Sequence, residues 1–142
     1  MRVHDDYAEW NVKSQREKPN SLMNFYTRLF QLRKEYLALA SLALSDTHRP
    51  TKLTSRRQTY GNFVSVQPSN EKVFAYLKLL ADSPRLLVLL NFTSEAVPYE
   101  LKEVDGILHA KLVLGNHDGV ATGLSSSSIE LQPYETRLYS LA

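Results

Sequence analysis

Residues Pro19–Tyr36, PNSLMNFYTRLFQLRKEY, predict an amphipathic helix whose apolar face is too wide for a short chain to cover. At about 100° per residue, Leu22, Phe25, Tyr26, Leu29, Phe30, Leu32, Tyr36 and Leu37 fall on one half of the wheel. Asn24, Thr27, Arg28, Gln31, Lys34 and Glu35 fill the other half. Ser21 can cap the free N–H groups at the start, and Pro19 discourages helix before it, so the helix runs from there to about Leu39. Arg33 is the one charge inside the apolar arc and reads as a structural ion pair or a snorkelling side chain rather than a ligand contact. An isolated helix of this length is marginal in water. Burial of a large apolar side chain contributes about 1.5–3 kcal/mol, so packing must stabilise it. Little precedes the helix and only strand patterns follow it, which marks it as the last helix of a larger domain.

The pattern changes to strands from Tyr60 onward. Candidates are 63–66, Val73–Leu80, Leu86–Phe92, Val97–Leu101, His109–Leu114, Ile129–Gln132 and Glu135–Leu141. Gln67-Pro68-Ser69-Asn70 and Ala81-Asp82-Ser83-Pro84 read as turns, and Gly115–Ser128 as a Gly/Ser-rich loop. Six or seven short strands at near-regular spacing argue for an antiparallel sandwich. Residues 1–18 show no period and read as an extended loop. Ser41–Thr59 breaks the style of the rest: Arg49, Lys52, Arg56, Arg57 and His48 face Asp46 alone, and no period holds. Such a stretch reads as a disordered insertion.

Composition narrows the function classes. A chain of 142 residues with 43% hydrophobic content holds enough apolar material for one core. A net charge of +2 gives no global case for nucleic acid or an anionic membrane. The basic stretch at 48–57 has no interleaved aromatic residue to stack on bases. The longest apolar run, around Leu86–Leu90, is strand-sized, and the polar N-terminus is no signal peptide. The absence of cysteine excludes disulfides and thiolate metal sites and suits the cytoplasm. The sequon Asn91-Phe92-Thr93 lies in a strand pattern and reads as incidental.

No residue set makes a convincing active site. Asn116-His117-Asp118 pairs a His with an Asp, yet Asn-His-Asp-Gly between a strand and a loop is ordinary turn chemistry. His4-Asp5-Asp6 has no scaffold, and three adjacent residues cannot all face one ion. The serines at 125–128 lack an elbow motif, and the glycines form no phosphate cradle. The expected catalytic, cofactor-binding and metal-binding sets are therefore empty, and no cofactor is expected.

Several co-linear segments carry a family resemblance. They are Arg2-Val3 with Asp5-Asp6-Tyr7, Asn11-Val12 with Gln15, Pro19-Asn20-Ser21, and Phe25-Tyr26 with Leu32-Arg33-Lys34-Glu35. Tyr60-Gly61-Asn62-Phe63 and Leu131-Gln132-Pro133-Tyr134-Glu135-Thr136-Arg137-Leu138-Tyr139 complete the set. Together they resemble the C-terminal part of glycoside hydrolase family 13, the α-amylase family, nearest its fungal maltase, α-glucosidase and oligo-1,6-glucosidase branch. Only 41–59 falls outside the resemblance.

The resemblance implies an α+β piece: the last helix of a (β/α)8 barrel followed by an all-β antiparallel sandwich of Greek-key type. Residues 1–40 would end the barrel, 41–59 would be an atypical insertion, and 60–142 would form the C-terminal β-domain. It implies hydrolysis of α-glucosidic bonds in maltose, sucrose or isomalto-oligosaccharides by a nucleophilic carboxylate and an acid/base carboxyl about 5 Å apart. The family's catalytic carboxylates lie before the point where this chain begins. One of them sits in an Asn-His-Asp motif, but Asn116-His117-Asp118 lies in the β-domain and is followed by Gly119-Val120-Ala121, so no role is carried over to it. The expectation is a C-terminal fragment, from a truncated gene model or a relic, with Ser41–Thr59 a retained intron or a lineage-specific loop. The chain alone should be inactive, touch α-glucosides only through the missing barrel, bind neither nucleic acid nor membrane, and self-associate through its helix face. The alternative is a free-standing carbohydrate-binding sandwich, with Tyr99, Tyr134 and Tyr139 as the stacking candidates, the sole tryptophan, Trp10, lying in the N-terminal loop.

Overall fold

The computed structural model describes residues 4–39, 61–101, 104–124 and 126–141. The expectation for Ser41–Thr59 lies outside them. The chain divides into two compact units, Met1–Glu35 and Tyr36–Ala142.

The first unit contains two helices, α1 (Val12–Glu17) and α2 (Leu22–Glu35). The turn before α1 is fixed by the Tyr7 N–H donating to the His4 carbonyl and the Trp10 N–H to the Asp6 carbonyl. Residues 1–18 were expected to be an extended loop, and α1 corrects that. Asn11 caps it by accepting from the Ser14 N–H at 2.9 Å, while the Ser14 hydroxyl accepts from the Asn11 N–H at 3.4 Å. That reciprocal cap needs no apolar stripe, and six residues are too few to show one.

Ser21 accepts the Asn24 N–H at 3.2 Å, the cap expected for α2. The Asn24 side chain donates back to the Lys18 carbonyl at 2.8 Å and to the Gln15 carbonyl at 3.2 Å, closing the end of α1. The α-helix stops at Glu35, short of the expected Leu39, and a 3-10 turn occupies Leu37–Leu39. No residue of α2 is buried.

The second unit is an antiparallel β-sandwich. Its strands are β1 (Asn62–Val66), β2 (Val73–Leu79), β3 (Arg85–Asn91), β4 (Val97–Glu100), β5 (Lys111–Gly115), β6 (Ser128–Leu131) and β7 (Thr136–Leu141). One sheet has the order β1-β2-β3-β7-β5, and β4-β6 forms the other. The seven expected strands are all present, with ends shifted by a few residues. The largest shift is at His109, which belongs to a 3-10 turn at Ile107–His109 that follows Gly106 in a left-handed conformation (φ 77°).

Register explains the burial. Along β3, Leu87 and Leu89 point to the space between the sheets, joined by Val73, Ala75, Tyr139 and Leu141 from neighbouring strands. Val97, Tyr99 and Leu131 meet them from the second sheet. Leu86 and Val88 point to the opposite face of the larger sheet, where Leu114 and Leu138 are also buried. A central strand buried on both faces reads as a continuous apolar run, which is why RLLVLLN shows no alternation.

Gly61 stands just before β1 because nothing larger fits. A Cβ there would lie 2.8 Å from the Ala38 carbonyl oxygen and 3.2 Å from its Cα. Turn chemistry follows the expected lines: the Asn70 N–H donates to the Gln67 carbonyl at 3.0 Å, and the Ser83 N–H to the Leu80 carbonyl at 3.2 Å.

Candidate functional site

Two places concentrate side-chain structure, one in each unit. In the sandwich it is the polar corner where β3 ends and β7 begins. The Asn91 carboxamide is 3% exposed, donates to the Glu95 and Gln132 carbonyls at 2.8 Å each, and accepts from the Thr93 N–H at 2.9 Å and its hydroxyl at 2.8 Å. A sequon asparagine used in this way has no room for a glycan, and Asn91 ties β3 to the loop after β6.

Beside it Glu135 is fully buried. It accepts from the Gln132 N–H at 2.7 Å, Arg137 Nε at 2.7 Å and Arg137 Nη2 at 2.8 Å. Burial alone would push its carboxyl upward, but those hydrogen bonds and the Arg137 charge outweigh it and hold the group below its ordinary value. The same pairing raises Arg137 against the opposing effect of burial. Burial raises the Tyr139 hydroxyl. A carboxylate held ionised by a bidentate guanidinium is a brace.

Asn116 closes the corner, donating to the Tyr134 carbonyl at 2.9 Å and accepting from the Thr136 N–H at 2.7 Å. His117 and Asp118 are exposed beside it. His4 and Asp6 contact each other in an exposed turn. Among the described residues no group of three or more His, Asp or Glu side chains could hold a metal ion. The Ser126 hydroxyl donates to the Ser128 carbonyl at 2.6 Å in an exposed loop, and Arg33 is exposed in the last turn of α2.

In the first unit the site is a groove of about 550 Å³ between the turn at Trp10 and the two helices. Trp10, Val12, Leu22, Met23, Tyr26 and Phe30 give it an apolar lining, and no Asp or Glu lines it. Leu22 is 65% exposed, and Trp10, Tyr26 and Phe30 are also exposed. Of the residues expected on the apolar face of α2, Leu22, Tyr26 and Phe30 are exposed while Phe25, Leu29 and Leu32 are half-buried. The groove can hold an apolar partner, but it cannot move a proton.

The stacking candidates for a sugar-binding platform do not assemble. Tyr99 and Tyr139 are fully buried in the core, each at an inward position of its strand, and only Tyr134 is exposed. The aromatic group that does form is Phe63, Phe74 and Tyr76, which sequence reasoning missed. Its signal was the alternation of β1 and β2, which places all three on the sheet face opposite the core.

No family model matches the chain. Relatives among well-characterised proteins do. The α-glucosidase of Candida albicans is 31% identical over 140 residues, covering 98% of this chain and 20% of that protein. The oligo-1,6-glucosidase of Halalkalibacterium halodurans is 30% identical over 139 residues, with 98% and 21% covered. Among solved structures, the isomaltulose synthase of Klebsiella sp. LX3 superposes with a TM-score of 0.76 at 25% identity, over 100% of this chain and 21% of that one. The trehalulose synthase of Pseudomonas mesoacidophila gives 0.74 at 25% identity, over 100% and 22%.

The sequence and fold of this chain are thus shared with a segment of larger sugar-processing enzymes. The chain is similar to enzymes of the α-glucosidase and oligo-1,6-glucosidase branch of glycoside hydrolase family 13, the α-amylase family, and the match is consistent with a C-terminal segment of such an enzyme. It spans about one fifth of the length of the relatives it matches.

Proposed function

We propose that this chain is the structural C-terminal portion of a maltase-type α-glucosidase, acting with a catalytic portion on the α-glucosidic bonds of maltose, sucrose or isomalto-oligosaccharides. The observation that carries the reading is the co-linear match to the Candida albicans α-glucosidase over 98% of the chain. The apolar groove supports it: α2 has no buried residue, and the catalytic portion of such an enzyme is the surface its apolar side chains would meet. α-Glucosides reach this protein only through that portion, and the cysteine-free composition suits the cytoplasm. Among the described residues no helix is long and apolar enough to cross a membrane.

Retaining glycosidases need two carboxyl groups about 5–5.5 Å apart at the scissile bond. Among the described residues, the one buried carboxylate of the sandwich, Glu135, is committed to Arg137. The isolated 142-residue protein should therefore release no glucose from maltose and no chromophore from a chromogenic α-glucoside. Measurable turnover by the pure chain refutes the reading.

A further inference from the structure

Among the described residues, the larger sheet has one unpaired edge, at β1. β1 pairs only with β2, and among the described residues no hydrogen bond reaches its other edge. The opposite margin is different: β5 is covered by the Leu112 N–H donating to the Thr122 carbonyl at 2.8 Å and by a bridge from Lys111 to Gly123. Four of the five β1 residues are exposed, Phe63 at 52% and Val64 at 43%. The strand, Asn-Phe-Val-Ser-Val, carries no charge and no proline, the features that normally keep an edge from pairing.

Beside this edge, on the face away from the core, Phe63 lies 6.2 Å from Phe74 at an interplanar angle of 26° and 5.1 Å from Tyr76. Lys78 Nζ lies 5.9 Å from the Phe63 ring. The cluster stops where the sheet stops, with Phe63 its outermost ring.

We infer that β1 pairs antiparallel with β1 of a second copy of this chain, joining the two larger sheets about a two-fold axis. The strand is complementary to itself. With Val64 on the axis, Phe63 lies opposite Ser65 of the second copy and Asn62 opposite its Val66, so no like charges oppose each other. Both Phe63 rings fall on one sheet face as diagonal neighbours, about 7–8 Å apart and within reach of aromatic side chains. The two aromatic clusters then merge and cover their exposed edges. An uncharged strand offers a charged peptide nothing to recognise, whereas a second copy needs only the backbone ladder and the apolar contacts. The inference concerns the sandwich alone and does not depend on the catalytic reading above.

Sedimentation of the full chain tests it. The unsubstituted protein should sediment with the mass of two chains, and Val64→Lys and Val64→Glu should each sediment as one, because each variant places like charges opposite each other on the axis. An equimolar mixture of the two variants should return to the dimer mass. On the unsubstituted chain, the β1 amides should exchange hydrogen more slowly in concentrated than in dilute solution. A monomer in concentrated solution, variants that remain dimeric, a mixture that fails to reassociate, or exchange independent of concentration overturns the inference. So does a dimer that survives at Val64 but is lost in Leu22→Glu, which would move the interface to the helix groove.

Discussion

Glu135 is the residue on which the sandwich depends most visibly. Its carboxylate is fully enclosed and shared between a backbone N–H and a bidentate guanidinium. Removing one member of such a pair leaves the other charge buried, at about 3–5 kcal/mol. Glu135→Gln should lower the unfolding free energy by about 3 kcal/mol, measured by urea denaturation. The sign of the pH dependence follows from the direction of the shift. A carboxyl held below its ordinary value of 4.5 contributes its stability fully above that value and loses it as the pH falls through the lower, folded value. The melting temperature should fall on acidification below that point, and less steeply in Glu135→Gln.

Asn91 makes the companion case. Replacing it with Ala strands the Glu95 and Gln132 carbonyls and the Thr93 N–H, each at about 1–3 kcal/mol. Asn91→Ala should therefore destabilise by about 3 kcal/mol or more in the same measurement. Neither role was legible in the sequence. A buried polar network joins residues about forty positions apart, as Asn91 joins Gln132, and carries no periodic signature. The empty expectation for catalytic and metal residues came from spacing arguments about Asn116-His117-Asp118 and His4-Asp5-Asp6. The structure gives Asn116 a bridging role between the Tyr134 carbonyl and the Thr136 N–H.

Elements were readable where their period was long enough to repeat. α2 shows in the sequence by its apolar stripe, and the strands by short apolar alternations or, in β3, by a continuous apolar run between turn residues. The short helix α1 does not, since it rests on the Asn11–Ser14 cap rather than on a stripe. Tyr99 and Tyr139 look like exposed candidates in isolation but fall on the inward parity of their strands once register is set. The aromatic trio at Phe63, Phe74 and Tyr76 becomes visible by the same parity. The join between Ala38 and Gly61 supplies a test at this scale. The glycine exists for close approach, so Gly61→Ala must push the Ala38 backbone away. A loss of about 1–3 kcal/mol is expected for such overpacking, and an unchanged melting temperature would mean that the join is loose.

At the scale of the whole molecule, the sandwich has a core of its own, and the helical unit presents Trp10, Val12, Leu22, Met23, Tyr26 and Phe30 in its groove, where an external surface could use them. A helix with no buried residue is stabilised little by its own chain. In each relative, about four fifths of the length lies outside the segment that this chain matches. On the proposed function, that packing pattern corresponds to a role: the chain would supply support, and another portion would supply the two carboxyl groups that the chemistry needs.

Activity of a chimera tests that role most directly. The Candida albicans α-glucosidase truncated before its matching segment should hydrolyse maltose poorly, and grafting residues 4–142 of this chain onto the truncated enzyme should restore turnover. Leu22→Glu in the graft should remove most of the gain, since it places a charge in the apolar groove. Restored activity that depends on Leu22 is the outcome expected. A chimera no better than the truncated enzyme, or glucose release by this chain unaided, would contradict the account.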